Sequence, residues 1–260
     1  MTEIDILKNL YDNVKKGEKC ALVTLVESFG ATPRKSGAIM GVTKDKTIGT
    51  IGGGMAEYKA IELSRECIEK GENKIFDFDL TQDGKNTIGM TCGGRIKGFI
   101  KFLKPSERIV IVGAGHVGKK LYGLLKESTF ETIILDDRED FENGENVIVG
   151  DFENLLNNLP ENSETYYVVV TKGHKSDLVA VKKILKKEFR YLGVIGSRKK
   201  VQEMRDNLIK DGYEIPEDRF FSPIGLNLSD GTPYEIAVDI LSEILSVKNG
   251  KEKIIHMKDR

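Results

Sequence analysis

At 260 residues, with 40 basic and 41 acidic side chains and a formal net charge of -1 at pH 7, the chain has room for about two domains of ~100 to 200 residues and no global field favouring nucleic acid or an anionic membrane. Its three cysteines, Cys20, Cys67 and Cys92, lie far apart without a C-x-x-C pair, which argues against a disulfide framework or structural zinc and for a reducing, cytoplasmic setting. The start, Met1-Thr2-Glu3-Ile4-Asp5, is acidic where a signal peptide is basic, and no apolar run nears the ~18 residues of a membrane span, so a soluble, unprocessed protein is expected.

In chain order, Ile4, Leu7, Leu10, Tyr11 and Val14 recur at helical spacing, with Gly17 as the C-terminal cap. Ala21 to Val26, Ala38 to Val42 and Thr47 to Ile51 read as strands, and Lys44-Asp45-Lys46 as a polar turn. A helix then runs from near Met55 to near Lys70, before Gly71. Two extended stretches, Ile75 to Leu80 and Ile96 to Leu103, enclose a loop holding Thr91-Cys92-Gly93-Gly94. Lys104-Pro105-Ser106-Glu107 is a polar break that separates a smaller α+β domain, 1–104, from a second domain, 105–260. In the second, strands at Arg108 to Val112, Glu131 to Leu135, Val147 to Val149, Tyr166 to Val170, Tyr191 to Ile195 and Arg219 to Phe221 alternate with helices. That alternation predicts an α/β fold ending in a doubly wound, parallel, Rossmann-like sheet. Thr232 as N-cap, Pro233 at the first helical position and Glu235 completing a capping box open the last helix.

The β-branched run Val110-Ile111-Val112 breaks into Gly113-Ala114-Gly115-His116-Val117-Gly118, the pattern of a first βα turn that holds a phosphate at a helix N-terminus. Asp136, closing the next β-rich run, lies near the ~20-residue spacing at which an acid meets a ribose hydroxyl. Ligands of such sheets bind outside the carboxyl ends of the strands. Those ends should bring the glycine turn, Asp136-Asp137-Arg138, Thr171-Lys172-Gly173-His174 and Gly196-Ser197-Arg198-Lys199-Lys200 to one crevice. The last three cations either flank an anion or are solvated. His174 either contacts a ligand or only bonds its loop, and His116 either reaches a phosphate or caps its helix. Tyr122 and Lys126 have the Tyr-x-x-x-Lys spacing of a dehydrogenase acid pair, but they fall in the helix after the glycine turn, away from a hydride path.

In the first domain, Gly49-Thr50-Ile51-Gly52-Gly53-Gly54 leads into a helix and offers amides to an oxyanion, with Arg34 and Lys35 as cationic contacts, or else serves only as a tight turn. Cys92, in a glycine loop, is the thiol placed to act as a thiolate toward a soft metal or sulfur.

Taken together, Gly30-Ala31-Thr32-Pro33-Arg34-Lys35-Ser36-Gly37-Ala38, the Gly49 to Gly54 run with Glu57, Cys92-Gly93-Gly94, Gly113 to Gly118, Asp136-Asp137-Arg138, Thr171 to His174 with Asp177, Ile195-Gly196-Ser197-Arg198 and Ser222-Pro223-Ile224-Gly225-Leu226 resemble the xanthine dehydrogenase accessory family, XdhC/CoxI. The resemblance implies a cofactor chaperone rather than an enzyme. Such a protein would bind the molybdenum cofactor (molybdopterin), support its sulfuration with a cysteine desulfurase and deliver it to a xanthine dehydrogenase-type molybdenum hydroxylase, as a homodimer. On that reading Cys92 contacts molybdenum or sulfur, while Gly52, Gly53, Gly54, Arg34, Gly113, Gly115, His116, Gly118, Asp136, His174, Ser197 and Arg198 hold the cofactor or a separate nucleotide. Where the family often has Asp-Ile-Gly, this chain has Asn227-Leu228-Ser229. The rival reading is an NAD(P)-dependent oxidoreductase.

Overall fold

A computed structural model describes residues 1–30, 35–79, 94–139 and 147–251. The chain forms two compact units, Met1–Pro105 and Ser106–Arg260. Among the described residues, no helix is long and apolar enough to cross a membrane.

The first unit is an antiparallel sheet between two helices. After α1 (Glu3–Lys15), the strands β1 (Cys20–Gly30), β2 (Ile39–Thr43) and β3 (Thr47–Gly49) lead to α2 (Gly54–Lys70), followed by β4 (Lys74–Asp79) and β5 (Gly94–Leu103). The sheet order is β3-β2-β1-β5-β4. Alternation along β1 separates the two faces: Cys20 and Leu22 meet α1, whereas Ala21, Val23 and Leu25 meet α2. Ala56 and Ala60 let α2 lie close on Val23, Met40 and Ile100. On α1 the buried side chains are Ile6 and Leu10, while Ile4, Leu7 and Tyr11 are exposed. The helix thus docks on a stripe rotated from the one its apolar spacing suggests. Ile6 and Leu10, four residues apart, reach Ile48 and Cys20.

The second unit alternates β6 (Arg108–Val112), α3 (His116–Leu125), β7 (Glu131–Asp136), β8 (Val147–Val149), α4 (Phe152–Asn158), β9 (Thr165–Val169), α5 (His174–Ile184), β10 (Tyr191–Val194), α6 (Arg198–Lys210), β11 (Phe220–Phe221) and α7 (Pro233–Lys248). All pairings are parallel, in the order β11-β10-β9-β6-β7-β8. β6 is buried on both sides: Ile109 and Ile111 pack with α3 and α7, and Val110 and Val112 with α4, α5 and α6. The chain winds outward from β6 in both directions, so the crossovers diverge between β6 and β9 and open a crevice at the carboxyl ends. Thr232 and Glu235 form the expected capping box, with Pro233 in the first turn of α7.

Sequence periodicity missed two acids on the buried side of α7. Glu243 accepts from the Tyr191 hydroxyl and from the Gly225 amide at 3.1 Å, and Asp239 accepts from Ser229 Oγ at 2.7 Å. Both are more than nine-tenths buried and pin the 225–229 loop. Burial raises the Glu243 carboxyl above the ordinary glutamate range, outweighing the lowering by Tyr191 and Gly225. A folded state that holds this proton more tightly than the unfolded chain is favoured at acid pH and loses that advantage as pH climbs through the raised value. Glu243→Gln keeps the acceptor but cannot ionise. The wild type should therefore lose melting temperature relative to E243Q as pH rises from the ordinary glutamate range through the raised value; a pH-independent difference would contradict this account.

Candidate functional site

At the end of β6, the Gly113 amide donates to Leu135 O at 2.8 Å and the residue adopts φ +113°. A Cβ there would lie 2.6 Å from Val170 O, and one at Gly118 would lie 2.0 Å from Gly113 O. Both positions are glycine because strand, turn and helix pack without room for a side chain. Gly115 differs. It is the N-cap of α3 with φ -68°, and a Cβ there would meet nothing within 4 Å. No side chain caps α3, so the N–H groups of its first turn are left with their partial positive charge at the crevice.

That crevice has a volume of about 780 Å³, within the usual ~300 to 1,000 Å³ of ligand pockets. Gly113 to Val117, Asp136 to Arg138 and Val170 to Gly173 line it from three strand ends. Ile195 is the contribution of the fourth. Ser197 instead caps α6, accepting from Lys200 N at 3.5 Å, and the exposed Arg198 lies in the first turn of that helix; neither is among the lining residues. The expected convergence of all four strand ends therefore needs correcting at Ser197 and Arg198, because the loop after β10 is used to start a helix. Phe152, Ser176 and Pro233 also line the crevice. Their chemistry is ordinary in sequence, and only the position of each at a helix start, beside a strand end, could have signalled them.

Asp136 is 1% exposed and accepts four N–H groups. Oδ2 takes Ala114 N at 2.6 Å and Arg138 Nη2 at 2.8 Å; Oδ1 takes Arg138 N at 3.0 Å and Nε at 2.8 Å. Burial alone would raise this carboxyl, but the Arg138 guanidinium and the Ala114 and Arg138 amides outweigh it and hold it below the ordinary aspartate range. The carboxylate ties the end of β7 to the glycine turn. Opposite, Thr171 Oγ1 donates to Asp177 Oδ1 at 2.6 Å and fixes the start of α5. His174 opens that helix, His116 is exposed in the first turn of α3, and Gly173, the α5 N-cap, has no side-chain cap. Tyr122 and Lys126 are helical neighbours, with Nζ 5.5 Å from the ring centroid.

The glycine run of the first unit is occupied from within. Glu57 Oε2 accepts from Ile51 N at 2.9 Å, from Gly53 N at 3.0 Å and from the Thr50 hydroxyl, while Gly52 N donates to Thr50 Oγ1 at 3.0 Å. Burial would raise the Glu57 carboxyl, but Thr50 and the amides of Gly53, Ile51 and Gly52 together lower it. The oxyanion expected at this turn is, at Gly53, the protein's own carboxylate, and the Gly52 amide is met by the Thr50 hydroxyl. Gly54 opens α2 and is exposed. Arg34 and Cys92 lie outside the described residues.

A doubly wound parallel sheet with an uncapped glycine turn at its switch point is the architecture of a Rossmann-like domain. Residues 109–244 match the XdhC Rossmann domain and residues 14–79 match the XdhC and CoxI family. The chain belongs to that family. It is 30% identical over 246 residues to the uncharacterized protein YqeB of Escherichia coli (strain K12), covering 92% of this chain and 45% of that protein. With a probable xanthine dehydrogenase subunit of Bacillus subtilis (strain 168) it shares 24% identity over 156 residues, 58% of this chain and 46% of that protein. The chain spans about half the length of these curated relatives. A crystal structure of a xanthine dehydrogenase from Bacillus halodurans covers 99% of this chain and 98% of its own, at 18% identity and a TM-score of 0.50, a likeness of fold.

Two substitutions separate a packing glycine from the one that only lines the crevice. Gly118→Ala should cost about 1 to 3 kcal/mol or more by overpacking, whereas Gly115→Ala should change stability by no more than ~0.5 kcal/mol, as measured by denaturant titration. Glu57→Ala, which leaves the amides of Ile51 and Gly53 without their acceptor, should cost about 1 to 3 kcal/mol in the same measurement.

Proposed function

We propose that the chain acts in the maturation of a xanthine dehydrogenase-type molybdenum hydroxylase, binding the phosphorylated end of the molybdenum cofactor in the crevice of the second unit. The observation that carries this reading is Gly115: an uncapped helix start preceded by a glycine whose missing side chain no protein atom requires. A Cβ at that point would fill the cradle a phosphate needs, so the residues present fit the group. The amides at Gly115, His116 and Val117 would hold the phosphate, and His174, the first residue of α5, is a further proposed contact. When bound, the group supplies the molybdenum chemistry of the client enzyme. The chain's own residues bind it, orient it and screen it from water.

Family membership and the B. subtilis relative support the direction of this proposal. Sulfuration with a cysteine desulfurase, delivery to the hydroxylase and a homodimeric state belong to the same reading. Cys92 is the proposed thiol for molybdenum or sulfur, and Arg34 a cationic contact in the same unit. A second reading, an NAD(P)-dependent oxidoreductase, is favoured by the strand order, which is that of dinucleotide-binding sheets.

The test is retention of molybdenum cofactor after anaerobic mixing and gel filtration, read by the fluorescence of the oxidised pterin. The wild type should retain it, and Gly115→Val should retain about tenfold less at unchanged melting temperature, the scale of loss when a charge-assisted contact is blocked. Equal retention by Gly115→Val overturns the crevice assignment, and equal retention by Cys92→Ala removes the thiol from binding. A substrate-dependent change in nicotinamide absorbance would favour the oxidoreductase instead.

A further inference from the structure

We propose that the first unit carries an anion site of its own, which takes a small phosphate monoester between Lys19, Lys44 and Arg65 at one end of the antiparallel sheet. The site lies wholly within Met1–Pro105, so it stands or falls apart from the crevice of the second unit.

A cavity of about 440 Å³ is lined there by Lys19, Lys44, Arg65, Ile68 and Glu69, a volume within the usual ~300 to 1,000 Å³ of ligand pockets. Three segments bring the cations to it. Ala21 and Val23 of β1 face α2, as do Met40 and Val42 of β2, and the two-residue period carries the same face on to Lys19, just before β1, and Lys44, just after β2. Cys20 pairs with Thr43, so the two lysines stand one position beyond the last registered pair of these strands. On α2, Arg65, Ile68 and Glu69 are spaced three and four residues apart, which turns them to one side of the helix. Ile68 is buried in the core of the unit, so the floor between the charges is apolar.

The charges around this floor do not balance. Elsewhere in the unit, Lys74 meets Glu66 and Arg95 meets Asp77. Among the described residues, Lys19, Lys44 and Arg65 enter no ion pair or side-chain hydrogen bond, although Glu69 follows Arg65 at the four-residue spacing of a helical pair. Three cations against one carboxylate leave an excess of positive charge, and like charges at adjoining strand ends repel. A bound dianion removes that cost. A phosphate monoester carries about -1.5 to -2 at pH 7, which matches the excess. The Arg65 guanidinium offers a planar fork of donors suited to phosphate oxygens, and the lysines add point charges. Ile68 assigns the other end of the ligand: an organic group laid over it excludes water and strengthens the attraction on the phosphate.

Amide-resolved NMR titration with phenyl phosphate at low ionic strength tests this, because residues 19, 44 and 65–69 report the site while residues 113–118 report the crevice. Saturating shifts should appear at the first set, alike in wild type and in Gly115→Val. Lys44→Gln and Arg65→Gln should each weaken binding about tenfold, the scale of one charge-assisted hydrogen bond, without lowering the melting temperature. Glu69→Gln should tighten it about threefold by removing the opposing charge. Unmoved signals at residues 19, 44 and 65, or an unchanged affinity in Arg65→Gln, overturn the site. Inorganic phosphate bound as tightly as phenyl phosphate overturns the ester class. Loss of these shifts in Gly115→Val assigns the binding to the crevice and overturns a separate site, whereas failure of cofactor retention to respond at Gly115 overturns the crevice reading alone.

Discussion

The crevice of the second unit depends on one buried carboxylate. Asp136 bridges the end of β7 to the Ala114 amide and holds Arg138 in place, so the glycine turn, the second strand and the rim of the crevice are tied together by one side chain. On the proposed reading, backbone amides serve a phosphate only if they are fixed before the ligand arrives, because ordering them during binding would subtract from affinity. The strut supplies that order from within. Gly113 and Gly118 supply the rest by letting strand and helix approach to van der Waals distance.

The two glycine-rich turns of the chain show how similar local sequences reach opposite ends. Before α2 the amides of Ile51 and Gly53 converge on Glu57, whose carboxylate is the anion the turn was shaped to receive. Before α3 the corresponding carboxylate comes from another strand and binds one amide behind the turn, leaving the helix start open. Both turns have positive φ glycines and both precede a helix. The difference is one side chain three residues into α2, Glu57, for which α3 has Lys119.

Membership in the XdhC and CoxI family covers both units, and the fold agrees with a solved structure over nearly the whole chain. The buried acids of α7 give the second unit a device of its own. Asp239 and Glu243 hold the loop that carries Asn227-Leu228-Ser229, and Ser229 contributes a hydroxyl to Asp239.

Read alone, the chain settles the class of fold. β-branched runs alternating with helices, the spacing of Gly113, Gly115 and Gly118, and the capping box at Thr232 are local signals, and local sterics and hydrogen bonding suffice to write them. It also marks three of the strand ends that line the crevice. What it leaves open is the direction of each polar group. That Asp136 is buried against Ala114 and Arg138 while Asp137 is exposed, that Ser197 caps a helix outside the crevice lining, that Glu57 fills the first glycine turn, and that α1 buries Ile6 in preference to Ile4 all follow from contacts between segments distant in sequence or from competition among nearby partners. A carboxylate and an amide carry the same chemistry wherever they stand; which of them meet is decided when burial removes water as the alternative partner, and that happens only in the folded chain.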